Sequence, residues 1–228
     1  MKSSPAKAPP AGENGPRRMS FEKVRESRWP AFVAMLAVAF LYLALPERLS
    51  YGPAWLLLAV IVLLLIPIVF TYRLGHYNVT RMLTFAANGA ITLALIGSLI
   101  LLVQGLPRHK DPPGTLLFSA GALWITNVLV FALWYWKLDA GGPLGRDRAG
   151  GAQNSSFLFP QMVRQSDADQ SWSPEFIDYL FLAFNTSTAF SPTDTAVLSR
   201  WAKVGMMLQS LISLSIIALL AARAVNVL

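Results

Sequence analysis

The chain has 228 residues, 54% of them apolar and 14% charged, with no cysteine. A mean hydropathy of +0.48, in a chain poorer in charge than the quarter or so usual in soluble domains, excludes an ordinary globular protein and points to an integral membrane protein. The absent cysteines exclude disulfide frameworks, thiolate metal sites and thiol nucleophiles.

The net charge of +7 is unevenly placed. Residues 1–29 carry seven basic residues, from Lys2 to Arg28, against Glu13, Glu22 and Glu26. A basic tail beside an apolar run orients a helix in a bilayer, whereas a nucleic-acid groove needs interleaved aromatics, which this tail lacks. The lipid bilayer, and no nucleic acid, is the expected partner. Residues 1–20 are rich in Pro, Ala, Ser, Gly and Lys, and residues 1–28 are expected to form a disordered tail. The tail is too long and polar for a signal peptide, and no small-residue cleavage pattern follows the first apolar run.

Four apolar spans are expected within 29–137. The first is Pro30–Leu45, barely long enough, between Trp29 and the Pro46–Glu47–Arg48 stop. The second, Pro53–Tyr72, is free of charge, and Pro67 is expected to kink it. The third runs from Phe85 to about Val103, with Ala86, Ala90, Ala94 and Ser98 forming a small-residue ridge suited to close helix contact. The fourth, Thr115–Trp136, closes on Trp134, Tyr135, Trp136 and Lys137, an aromatic belt with a positive anchor. Residues 138–172 are Gly-rich and polar and read as a mobile surface loop. No repeat relates the two halves, so a broken-helix transporter is disfavoured.

Residues 173–228 carry the most information. Ser173, Pro174 and Glu175 read as N-cap, first helical position and first-turn acid of a short aromatic helix, with Asp178 as a first-turn dipole partner. Three forms are open for Glu175–Phe190: a re-entrant helix, a sixth span, or an interfacial helix. A last span covers Ala202–Leu228. On it Gly205, Gln209 and Ser213 recur every four residues with Ser210 beside them, a stripe that should face protein or water rather than lipid. It reads either as a buried helix contact or as a pore lining. Arg223 reads as an interfacial anchor.

The order of short aromatic helix, hydroxyl-rich turn and long exit helix across Trp172–Leu228 resembles the pore-loop module of tetrameric cation channels. The resemblance implies a filter-like turn of Thr186, Ser187, Thr188, Ala189, Phe190, Ser191 and Asp194, lined behind by Gly205, Gln209 and Ser213. The turn has no glycine and contains Pro192, so a potassium-type carbonyl filter is not expected and ion selection would be weak. Ser191–Pro192–Thr193–Asp194 is equally a helix N-terminus signature, with Asp194 as a cap, and Thr186–Thr188 equally the end of a short helix. The whole chain also resembles an uncharacterised bacterial membrane-protein family of about this length.

With the N-terminus inside, four spans place thirteen basic residues on the cytoplasmic side and three, Arg48, Arg108 and Lys110, outside. A pore loop of the usual sort enters from outside, so either this loop enters from the cytoplasm, or Glu175–Phe190 spans the membrane, or one of the four spans is not a span. His76 and His109 stand alone, and no zinc spacing, phosphate loop or nucleophile elbow is present, so neither an enzyme nor a cofactor is expected. The expectation is an all-α polytopic protein of the bacterial inner membrane with five or six apolar helices. Its expected function is that of an oligomeric, tetramer-like channel for monovalent cations. The alternative is a non-conducting adaptor or assembly subunit that binds partner helices.

Overall fold

The computed structural model describes residues 26–50, 52–53, 55–105, 112–149, 154–163, 172–188 and 194–225, with side chains left aside at 113, 148, 149 and 223–225. Most of the expected disordered tail, the anchor role of Arg223, and Ala189, Phe190 and Ser191 of the expected filter lie outside the described residues.

Helix α1 (Trp29–Leu43) takes Pro30 at its first turn, where the missing N–H costs nothing, and stops ahead of Pro46. Helices α2 (Trp55–Arg73), α3 (Tyr77–Gly105) and α4 (Pro113–Leu138) follow. A 3₁₀ turn at Asp139–Gly141 leads into α5 (Gly142–Ala149). Strand β1 (Phe157–Leu158), α6 (Pro160–Val163), α7 (Phe176–Thr188), strand β2 (Ala196–Val197) and α8 (Arg200–Val225) complete the chain. Phe157 pairs with Val197 and Leu158 with Ala196, antiparallel. Among the described residues the fold is all-α apart from this two-residue ladder.

Among the described residues four helices are long and apolar enough to cross a membrane: α2, α3, α4 with its continuation into α5, and α8. The first expected span falls short, because α1 has 15 residues where about 20 are needed to cross a bilayer. α4 is the most buried of the four and α2 and α8 the least. It packs on α1, α3, α7 and α8 and forms the axis of the bundle.

Side-chain pairs fix the direction of each helix. Arg28, ahead of α1, lies 4.2 Å over the ring of Tyr72 at the end of α2. Thr71 of α2 and Thr80 of α3 are hydrogen-bonded at 3.0 Å. Phe85, early in α3, meets Trp134, late in α4, with ring centroids 5.7 Å apart. The start of α1, the end of α2, the start of α3 and the end of α4 therefore share one end of the bundle, called here the basic end.

Several sequence expectations need correction. α3 starts eight residues before Phe85, since Thr80 and Thr84 satisfy their hydroxyls on the carbonyls of His76 and Thr80 and pack inward. Of the expected ridge Ser98 is buried, Ala90 and Ala94 are half-buried and Ala86 is exposed, and Thr84, Ala87, Asn88, Ile91 and Leu95 share the buried face with Ser98. The proline expected to kink α2, Pro67, lies inside the helix, and the Thr71 hydroxyl donates to its carbonyl at 2.7 Å. The tail's last residues are docked: Glu26 and Arg28 are held by Arg146 and Asp147 of α5. The same contacts make 142–149 a helix where the glycines predicted a loop.

Candidate functional site

Of the residues singled out on α7 and α8, Thr186, Ser187, Gly205, Gln209, Ser210 and Ser213 come together, in a polar seam between α4, α7 and α8. α7 is an amphipathic helix of 13 residues, burying Phe176, Tyr179, Leu182, Ala183, Thr186 and Ser187. Its N-terminus departs from the sequence reading. The helix starts at Phe176, and the N–H of Glu175 donates to Asp178 Oδ2 at 2.8 Å, so Asp178 caps the helix from its first turn and the Ser173–Pro174 pair precedes it. Burial pushes the Asp178 carboxyl above its ordinary value, against the pull of the backbone N–H groups at Glu175 and Asp178.

Gln209 is the centre of the seam and is fully buried. Its Nε2 donates to the Ala183 carbonyl at 2.6 Å and to Ser187 Oγ at 2.7 Å, while the Tyr135 hydroxyl donates to its Oε1 at 2.7 Å. Asn127 Nδ2, on α4, donates to Ser213 Oγ at 2.8 Å and to the Gln209 carbonyl at 3.2 Å. Ser210 Oγ donates to the Thr186 carbonyl at 3.2 Å. Gly205 supplies clearance, since a Cβ there would stand 3.3 Å from the Tyr135 ring. Two buried atoms of the seam are without a partner, Asn127 Oδ1 and Trp124 Nε1. A buried polar seam of this kind fixes the packing of apolar helices, where area burial alone cannot choose a register.

Gly205, Gln209 and Ser213 thus face α4 and α7 of their own chain, and the outward face of α8 shows Val204, Met207, Leu208, Leu211 and Leu214. The hydroxyls of Thr186 and Thr188 donate to the Leu182 and Asn185 carbonyls one turn back, at 2.8 and 3.0 Å. Asp194 is exposed, in a bend just before β2. It does not cap α8: that helix starts at Arg200, and Ser199 Oγ accepts from the Ala202 N–H at 3.4 Å. The Ser191–Asp194 signature lost to Ser199 because pairing with β1 holds 196–197 extended.

A second cluster ties the segment to the basic end. Asp139 is fully buried, with its carboxylate accepting from Ser155 Oγ and the Ser156 N–H at 2.5 Å each and from the Tyr179 hydroxyl at 2.6 Å. Arg146 donates to both carboxylate oxygens of Glu26, at 2.9 and 3.0 Å, and to the Trp136 and Asp139 carbonyls. Phe157 sits among the rings of Tyr135, Tyr179 and Trp201 at 5.3, 6.1 and 5.8 Å between centroids. Sequence reasoning missed Asp139 and Arg146, which looked like loop charges. Asn127, a lone amide in a long apolar run, was a readable signal.

The path of α7 follows from two contacts with α4. Phe176 stacks edge-on with Trp136 at 5.9 Å, and Phe184 with Trp124 at 5.7 Å. Trp124 lies about 18 Å from Trp136 along α4 at 1.5 Å per residue, so α7 starts at the basic end and runs inward beside α4. By β2 the chain is back at that end, where the Trp201 indole N–H donates to Ser156 Oγ at 3.0 Å. Compared with family models, curated proteins and solved structures, the chain finds no match.

Proposed function

We propose that this is a pore-loop-type membrane protein in which α7 is a re-entrant helix entering from the cytoplasmic side, and that copies assemble to pass small monovalent cations with weak selectivity. One observation carries the reading: α7 leaves the basic end, runs inward between two long apolar helices, and the chain returns to the same end at β2. A helix of 13 residues reaches about 20 Å, too short to cross roughly 30 Å of hydrocarbon. Arg28, Arg73, Arg81, Lys137, Arg146 and Arg200 gather at the entry end, and a positive end is a cytoplasmic one. The chemistry available at the α7 tip is that of hydroxyls and carbonyls, which replace ion hydration only weakly. Ile177, Phe181 and Phe184 leave an apolar stripe on α7 for a neighbouring copy or lipid.

Reconstitution of the purified protein into liposomes with a cation-flux readout tests this. The reading expects flux that falls in Thr188→Val and Asp194→Ala. The second reading, a non-conducting assembly subunit of the inner membrane, is favoured by a specific observation: Gln209 and Ser213, the best pore-lining candidates, are consumed inside the subunit. Absence of flux from folded protein would select it.

A further inference from the structure

At the basic end, away from the α4–α7–α8 seam, lies a cavity of about 230 Å³ between α1, α2, α3, α4 and the first turn of α5. Among the described residues three cations line it, Arg28, Arg81 and Lys137, and no acid does. Tyr72 stands at its wall, with Met35 and Ile68 as apolar lining.

The charge there is incompletely answered. Asp147 pairs with Arg28 at 3.0 Å, and the Glu26 carboxylate is taken up by Arg146 and Trp136. Arg28 Nε is buried without a partner. Lys137 is 8% exposed, and its ammonium lies 5.7 Å from the centre of the Phe85 ring. Among the described residues no carboxylate lies within ion-pair distance of Lys137 or Arg81. Gathering cations in a sheltered chamber is costly unless an anion joins them. The glycines make room for the backbone beside them: a Cβ on Gly142 would stand 2.6 Å from the Lys137 carbonyl oxygen, and one on Gly145 would stand 2.5 Å from that of Ala140.

We propose that this cavity binds the phosphate of an anionic phospholipid headgroup, with Lys137 and Arg81 as its charge partners. A phosphate diester offers two non-bridging oxygens to these two cations, and a guanidinium matches them in a fork. The place fits a lipid better than a free anion. The cavity lies beside the Trp134–Trp136 belt, where headgroup phosphates sit, and its apolar lining suits the glycerol end of the molecule. The site depends on membrane placement of the helices and not on conduction, so a protein that passes no ions meets the same test.

The full-length protein in neutral detergent is titrated with short-chain phosphatidylglycerol, with phosphatidylcholine, and with inorganic phosphate, and its thermal unfolding midpoint is followed. The proposal expects phosphatidylglycerol to raise the midpoint at concentrations at least tenfold below those needed of the other two. Arg81→Gln, on an exposed position of α3, should weaken that response about tenfold and Lys137→Met should weaken it as much. Lys137→Met should also fold at least as well as the parent without lipid, since it removes a buried charge. Lys203→Gln, an exposed cation at the start of α8, should leave the response unchanged. An equal response to inorganic phosphate would overturn the lipid assignment. Retention of the full response in Arg81→Gln, or equal loss in Lys203→Gln, would overturn the site.

Discussion

Gln209, ten residues into α8, donates to Ser187 Oγ in the last turn of α7 at 2.7 Å, and the same amide nitrogen reaches the Ala183 carbonyl. One side chain thereby pins the inner end of a short helix to the flank of a long one. Gln209→Leu keeps the volume but strands the Tyr135 hydroxyl and Ser187 in an apolar seam. The expected loss is about 1–3 kcal/mol in unfolding experiments in detergent, with Gln209→Glu closer to the parent than Gln209→Leu at acid pH, where the carboxyl is a donor.

Gly205 tests the packing of the same seam. Its missing Cβ leaves room for the Tyr135 ring. Gly205→Ala needs the ring to yield by a few tenths of an ångström and should be mild, while Gly205→Leu must push α8 off α4 and should cost about 1–3 kcal/mol. Thermal unfolding of the two variants, side by side, separates a contact from a mere helix preference.

Asp139 holds the α7 entry through three donors. Asp139→Ala leaves the buried Tyr179 hydroxyl and Ser156 N–H without an acceptor, so a loss of about 2–4 kcal/mol is expected, above the usual 1–3 kcal/mol because the acceptor is charged. Tyr179→Phe removes one donor alone and should cost about 1 kcal/mol. The ordering of the two variants in chemical unfolding checks this.

Asp178 predicts a pH effect with a definite sign. Its carboxyl is raised by burial, so the folded state holds the proton more tightly than the unfolded one. That favours folding at acid pH, and the benefit is lost as pH rises through the folded value. Asp178→Asn keeps the cap oxygen without the buried charge and should match or exceed the parent at neutral pH. Asp178→Ala loses the bond to the Glu175 N–H, at about 0.5–2 kcal/mol. Unfolding midpoints of the three proteins across pH 4–8 give the comparison.

The long helices were legible because a helix apolar enough to cross a membrane shows as a long apolar run: α2 and α4 lie within two residues of their expected limits. The stripe of Gly205, Gln209 and Ser213 was legible for the same reason, since polar groups in an apolar helix need partners. What they face was not legible, because the partners Tyr135, Asn127 and Ala183 lie 26 to 86 residues away in sequence. The ordering of 142–149 was hidden too. Glycines and charges read as loop until Glu26, 120 residues distant, is seen paired with Arg146.

On the proposed reading both ends of the α7 segment sit on the cytoplasmic side. The chain has no cysteine, so single cysteines can be introduced without background. Glu175→Cys and Asp194→Cys, each labelled with a membrane-impermeant maleimide in right-side-out and inside-out vesicles, measure it directly. Labelling of both only in inside-out vesicles is the predicted result; labelling of the two from opposite faces would make α7 part of a full crossing and contradict the account.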